Sequence, residues 1–325
     1  MRRFLVFSLA AICTACILAG CSDDKYTRFY NEEIEENAPM LTIERFDHDF
    51  YQLDSAQLTQ KYGDFILLYV HQIMSIDSSK IDVFKSDSAF NALRLQVDSV
   101  YPNAAAVVKP LSVAMAYYHH YFPSKEIPKL SFHVSGFNQN IVTLPGRISA
   151  SIDNYLGANY SLYTQIAYQY DIPYMTPRHL PIDMLLGWLT SEFPDSSTNL
   201  LESMIYHGKI MYLLQVFFPH EEVCELLSYS QKQYDWCLMY EKNIWAMITE
   251  KQELYSSDWR TITRYTQPAP FTNGLSQEDS PGRVGVFIGW RIVSAYLEKN
   301  EDITLQGLMN ENDAQKILQL SGYRP

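Results

Sequence analysis

Positive charge is scarce, cysteines are few and only one long apolar run occurs. Each shortage removes a class of function. Lys and Arg number 25 against 37 Asp and Glu in 325 residues, a formal net charge of −12. A nucleic-acid binder needs a basic face to neutralise phosphates, so that class is excluded. Five cysteines in a chain this long do not make a disulfide scaffold. Beyond the N-terminus no stretch reaches the ~18 apolar residues of a membrane-spanning helix. The nucleophile elbow, the phosphate-binding loop and the dinucleotide fingerprint are absent. So is any repeat of ~20–50 residues. What remains is rich in apolar side chains (47%) and in aromatics (14%, with 24 Tyr). That composition belongs to a folded chain with enough material for a large core.

The first residues form a targeting segment. Arg2 and Arg3 precede an apolar run from Phe4 to Ala19, too short to span a bilayer. The run ends in Leu18-Ala19-Gly20-Cys21, which resembles the lipobox of bacterial lipoproteins. Residues 1–20 are expected to be a signal peptide, with Cys21 the lipidated residue. Each buried lipid CH₂ contributes about 0.8 kcal/mol, and two chains hold a protein stably on a membrane. Ser22 rather than Asp after the anchor suggests the outer membrane. Ser22-Asp23-Asp24 resembles an acidic surface-export tag, so the periplasmic and surface faces both stay open. Residues 21–40 are acidic and poor in aliphatics, and read as a linker reaching up to roughly 60 Å from the lipid. Residues 41–325 are expected to form one domain.

In that domain Gln57–Met74, Phe84–Tyr101 and Ala104–Tyr121 have helical patterning. The period then becomes two. Leu130, Phe132 and Val134 alternate with Ser131, His133 and Ser135, and Ile148, Ala150 and Ile152 alternate with Ser149 and Ser151. These predict half-buried antiparallel strands with Ile141–Leu144 between them. Helical patterning returns from Pro181. Asn199 and Glu202 have capping-box spacing ahead of the stripe Leu201, Met204, Ile205, Gly208, Met211 and Tyr212, and Pro219 ends that helix. Ser228–Tyr255 reads as one long helical stretch, and Ser280-Pro281 as the start of another. The fold class is α+β: a mainly α-helical single domain with a small antiparallel sheet.

Metal chemistry is the sharpest enzyme test. A zinc peptidase helix carries His-Glu-x-x-His, so that two imidazoles share one face and the Glu activates water. That motif is absent, and His220-Glu221-Glu222-Val223-Cys224 after Pro219 reads as a helix start. His179 and Asp183 are four apart, but Pro181 is expected to open the helix and leave His179 off its face. An atypical metal site of His179, Asp183 and His207 is the enzymatic alternative; a hydrogen-bonded, structural His207 is the simpler reading. Cys224 and Cys237 read as buried small hydrophobes. Gly282, Gly285 and Gly289 recur on one helical face and predict a second backbone packed very close. Arg283, placed in a first helical turn, either binds a carboxylate or forms a salt bridge that locks the loop before it. Arg178, Asp183, His207, Arg283 and Trp290 make up the candidate binding groove. No catalytic residue, metal or cofactor is assigned.

Several strings in order carry a resemblance. They are Arg45-Phe46-Asp47 with Asp49-Phe50, Asp153-Asn154-Tyr155-Leu156-Gly157, Met204 to Tyr212, Ser280-Pro281-Gly282-Arg283-Val284-Gly285 with Gly289-Trp290, and the terminal Ser321-Gly322-Tyr323-Arg324-Pro325. The chain resembles the gliding motility lipoprotein GldB family of Bacteroidetes over nearly its whole mature length. The resemblance implies a lipid-anchored envelope protein whose partners are the membrane, other envelope, motility or secretion proteins, or extended peptides. The layout also resembles a zincin-type peptidase that has lost its zinc motif, with Pro181 to Leu185 in its place. Such a degenerate scaffold keeps a groove for an extended peptide beside an edge strand. The abundance of aromatics leaves a glycan-binding module as a further alternative.

Overall fold

The computed structural model describes residues 27–325; the lipobox, with Cys21, and the acids Asp23 and Asp24 lie outside that range. Four short strands form one sheet: β1 (Ile43–Arg45), β2 (Lys129–His133), β3 (Ile141–Leu144) and β4 (Arg147–Ser151). Their order is β1-β2-β4-β3. β1 and β2 run parallel, as do β2 and β4, and only β3 is antiparallel to its neighbour. The sheet is therefore mixed, not antiparallel, and β3 lies at the edge, not between β2 and β4. The cause is local. Pro145-Gly146, with Gly146 at φ 68°, makes a tight turn that folds β4 back along β3. The preceding loop has already carried β3 one strand's width away from β2, and β4 fills the gap.

The alternating strands are buried on both faces, which the sequence pattern did not suggest. Leu130, Phe132, Ile148, Ala150 and Ile152 face the main core. Ser131, His133, Ser149 and Ser151 are equally buried, under an aromatic cluster built by Phe46, Phe50, Tyr62, Phe65 and Tyr69. The polar side chains tolerate this because they pair with one another: His133 Nδ1 lies 2.8 Å from Ser149 Oγ.

Five helices build the main body: α1 (Ala105–Tyr121), α2 (Leu180–Glu192), α3 (Leu200–Phe217), α4 (Val284–Lys299) and α5 (Ala314–Ser321). α3 is apolar nearly all round, which suits a central helix. Asn199 caps it by accepting from Glu202 N–H. α3 crosses α4 at glycines: a Cβ on Gly289 would stand 1.8 Å from Met204 O, and one on Gly208 would stand 2.3 Å from the Gly289 backbone. The expected close approach is present at Gly285 and Gly289, against Met204 of α3, whereas Gly282 lies outside the helix and approaches Ala269 instead. Where long helices were expected, shorter ones occur. Gly63, at φ 54°, divides Ser55–Tyr62 from Asp64–Leu68. Tyr240 separates Gln231–Met239 from Glu241–Glu250.

The acidic linker is also shorter than expected, because the chain is already docked from Thr27. Phe29, Ile34 and Leu41 pack on the core. Asn31 caps a helical turn, Glu32–Glu36, whose acids point largely outward. Three apolar anchors suffice to seat a segment whose composition reads as a spacer. No described helix is long and apolar enough to cross a membrane.

Candidate functional site

A cleft of about 530 Å³ opens between the start of β3, the N-terminal half of α2 and the loops that include Tyr168, Ser228 and Arg283. That volume is in the usual range for ligand pockets. Its floor is tightly built. Gly187 of α2 sits against Ile141, where a Cβ would come within 2.7 Å of the Ile141 side chain. Tyr155, buried, donates to Asp183 Oδ2 at 2.8 Å. Burial foremost, then the Asp183 charge, holds that phenol well above its usual pKa, so it stays a donor.

His179 is the N-cap of α2, outside the helix as expected. Its ring nevertheless folds over the first turn, with Nε2 3.5 Å from Asp183 Oδ1 and 3.2 Å from Ser228 Oγ. Both partners share one nitrogen, so the imidazole does not relay a proton from hydroxyl to carboxylate as in a hydrolase triad. Nδ1 is buried and without a hydrogen-bond partner. Asp171 lines the cleft as well, and burial raises its carboxyl pKa against the pull of Arg283.

Arg283 is the cation of the cleft. It is not in a first helical turn; it is the residue before α4, in the left-handed region at φ 47°. Ser280-Pro281 therefore lies in the loop and does not start the helix. The loop is held at several points. Tyr229 OH donates to Gly282 O at 2.9 Å, and Thr272 Oγ1 donates to Pro281 O at 2.9 Å. A Cβ on Gly282 would meet Ala269 O at 2.3 Å. The guanidinium donates to Leu227 O and forms no salt bridge among the described residues. Among the described residues, Phe137, Ser228 and Arg283 are three of the five non-glycine residues at positive φ, and all three line this cleft. Backbone strain of this kind gathers where a surrounding structure enforces a function.

β3 adds a backbone surface. Ser151 N–H donates to Asn140 O, so in an antiparallel ladder residues 140, 142 and 144 face β4. The backbone groups of Ile141 and Thr143 are then directed to the open edge. No other described strand pairs there.

Of the residues singled out from the sequence, Asp183 and Arg283 meet in this cleft. Arg178 lies elsewhere, exposed and paired with Glu221 at 3.0 Å. Trp290 is 5% exposed and donates to Gln215 Oε1 at 2.9 Å, as a core residue. His207 does not line the cleft. It packs edge-on against Tyr206, and burial pushes its pKa down to about 4. Cys21 lies outside the described residues. Ser228, Tyr229, Asp171 and Phe137 were missed: neither Ser nor Phe announces a left-handed backbone, and only the folding of distant loops brings Tyr229 and Asp171 to the cleft.

The proposed His179, Asp183 and His207 metal set does not assemble. Among the described residues, the three-ligand cluster is instead Asp47, His48 and Asp98. There Arg45 already donates to Asp47 at 2.7 Å and contacts His48 Nε2 at 2.8 Å, so its charge occupies the place a cation would take. That cluster joins the Phe46–Gln52 helix to the Ser88–Val100 helix and lies apart from the cleft.

No curated protein and no solved structure matches the chain. The sequence model of one family, described as gliding motility protein GldB, matches residues 28–325, nearly everything the structure describes. The chain belongs to the gliding motility protein GldB family.

Proposed function

We propose that this protein is an envelope lipoprotein of gliding-motility type, anchored by lipid on Cys21 at the outer membrane, that works by docking an extended polypeptide segment in the Asp183–Arg283 cleft. The observation that carries this reading is an open strand edge leading into the cleft beside a cation held by the Leu227 carbonyl and in no salt bridge among the described residues. An extended segment added to β3 satisfies the Ile141 and Thr143 backbone groups, and the cleft supplies side-chain selection. Arg283 would take a carboxylate of that segment, while Asp171 and Asp183 disfavour further acids near it. No bond-breaking role is proposed: Ser228 Oγ lies 3.2 Å from His179 Nε2, but no third group among the described residues orients that imidazole through Nδ1, which is buried and without a hydrogen-bond partner.

A photo-crosslinker in place of exposed Gln169, at the cleft rim, is the test in intact cells. It should capture one polypeptide through a defined segment, and Arg283→Ala should abolish the capture. A synthetic peptide of that segment should then slow hydrogen exchange at the Ile141 and Thr143 amides. Binding that leaves those two amides unprotected would sink the strand-addition reading.

One feature favours a second ligand class. Tyr168 and Tyr170 stack at the rim with ring centroids 5.3 Å apart and planes 6° apart, and Tyr168 is 70% exposed. Such a platform also suits a sugar ring, and a glycan array without hits removes it.

A further inference from the structure

We infer that Thr27–Leu41 is a docked strap that holds the C-terminal end of α4 next to the bilayer and points the cleft away from it. The inference rests on lipid attachment at Cys21. Arg28 is the clamp. Its Nη1 donates to Leu297 O at 2.6 Å and to Asn300 O at 3.3 Å, and its Nη2 donates to Ile303 O at 2.5 Å. These acceptors include the carbonyls that a helix C-terminus leaves unmatched, where the helix dipole also favours a cation. Phe29 then inserts edge-on against Tyr121 and Tyr212, with centroids 5.6 and 6.2 Å away. Tyr121 OH donates to Phe29 O at 2.7 Å. Tyr117 OH both accepts from Asn31 N–H, at 3.1 Å, and donates to Asn31 O, at 3.0 Å. Leu41 N–H closes the strap on Ser112 Oγ at 3.0 Å.

This docking changes the length of the tether. Five residues, 22–26, separate the lipidated Cys21 from Thr27. However they are arranged, they reach at most about 20 Å. A free linker to residue 40 would have allowed about three times that. The strap therefore brings the Leu297–Ile303 end of α4 near the headgroups. α4 has 16 residues, a length of about 24 Å. Arg28 holds one end, and Arg283, in the cleft, precedes the other. The formal charge, −12 over all 325 residues and more negative still once Arg2 and Arg3 are removed with the signal peptide, offers no attraction to an anionic lipid surface that would lay the molecule on its side. The cleft then receives a segment arriving from the aqueous compartment or an opposing structure, not one emerging from the same leaflet.

The test uses lipidated full-length protein in phosphatidylcholine vesicles that carry a headgroup-labelled acceptor lipid. A donor dye is placed on Glu301→Cys, at the strap end, or on Gln169→Cys, at the cleft rim. Transfer to the acceptor should be severalfold stronger from position 301. Replacing both strap anchors, as Arg28→Ala with Phe29→Ala, should drop the transfer from 301 towards the 169 value. Equal transfer from the two positions, or no response to the double substitution, overturns the orientation and leaves the anchor reading intact. Protein that fails to float with the vesicles overturns the anchor reading and this inference with it.

Discussion

His133 shows at residue scale what burial does to a titratable group. It sits under Phe65 and Tyr69 with one nitrogen on Ser149 and Nε2 unpaired, and desolvation lowers its pKa from 6.5 to about 3. Between those values the unfolded chain takes up a proton that the folded chain refuses, so stability falls as pH drops through that window. The slope for one such group is about 1.4 kcal/mol per pH unit. Urea unfolding at pH 7, 6 and 5 should show it, and His133→Asn should flatten the part below pH 6.5. Asp153 titrates in the opposite sense, since burial raises its carboxyl, so the difference between wild type and variant is the quantity to read. A wild type and His133→Asn that lose stability in parallel would place the titration elsewhere. Asp153 also explains the Phe137 backbone: it accepts from Phe137 N–H at 2.7 Å and Ser135 N–H at 3.2 Å, fixing the loop that sets β3 at the sheet edge.

The α3–α4 crossing is the decisive element contact. Gly289→Ala puts a methyl 1.8 Å from Met204 O, backbone that cannot step aside. Overpacking of this kind costs about 3 kcal/mol, and calorimetry should find Tm lowered by roughly 6 °C or more. Gly285→Leu, against Tyr265 and Met204, should act in the same direction. Gly307→Ala is the control: its Cβ meets the Thr304 hydroxyl at 3.3 Å, and Ala suits the helix better than Gly. A Gly289→Ala protein melting with the wild type would mean that the helices do not cross at this glycine. The glycine face was legible at Gly285 and Gly289, which share one side of α4, but not at Gly282, which lies in the loop before the helix and packs on Ala269. Breaks inside the longer helical runs were less legible: Tyr240 carries no breaker chemistry, and Gly63 is a single glycine in a run that tolerates one.

The described residues combine a docked Thr27–Leu41 segment with a cleft at the far end of α4. Cys21→Ala should leave protein that disappears from the membrane fraction, read by immunoblot of carbonate-washed membranes. Protein still retained there would mean that something other than acyl chains holds it. Apolar and polar periods, capping residues, the glycine row and the lipobox are local quantities, and the sequence by itself determined the α+β class, the helical body, the family and the expected anchor. Three things depended on distant chain segments meeting, and only the tertiary structure decided them. A period of two shows which side chains share a face but not which strand lies alongside, so the mixed sheet with β3 at its edge came from the loops. The burial of His133 and its serine neighbours came from the aromatic Phe46–Ile73 layer that covers them. Arg283 and Asp183, a hundred residues apart in the chain, share a cleft while Trp290 is sealed in the core, because helix packing and a strained loop, not residue type, set where each side chain points.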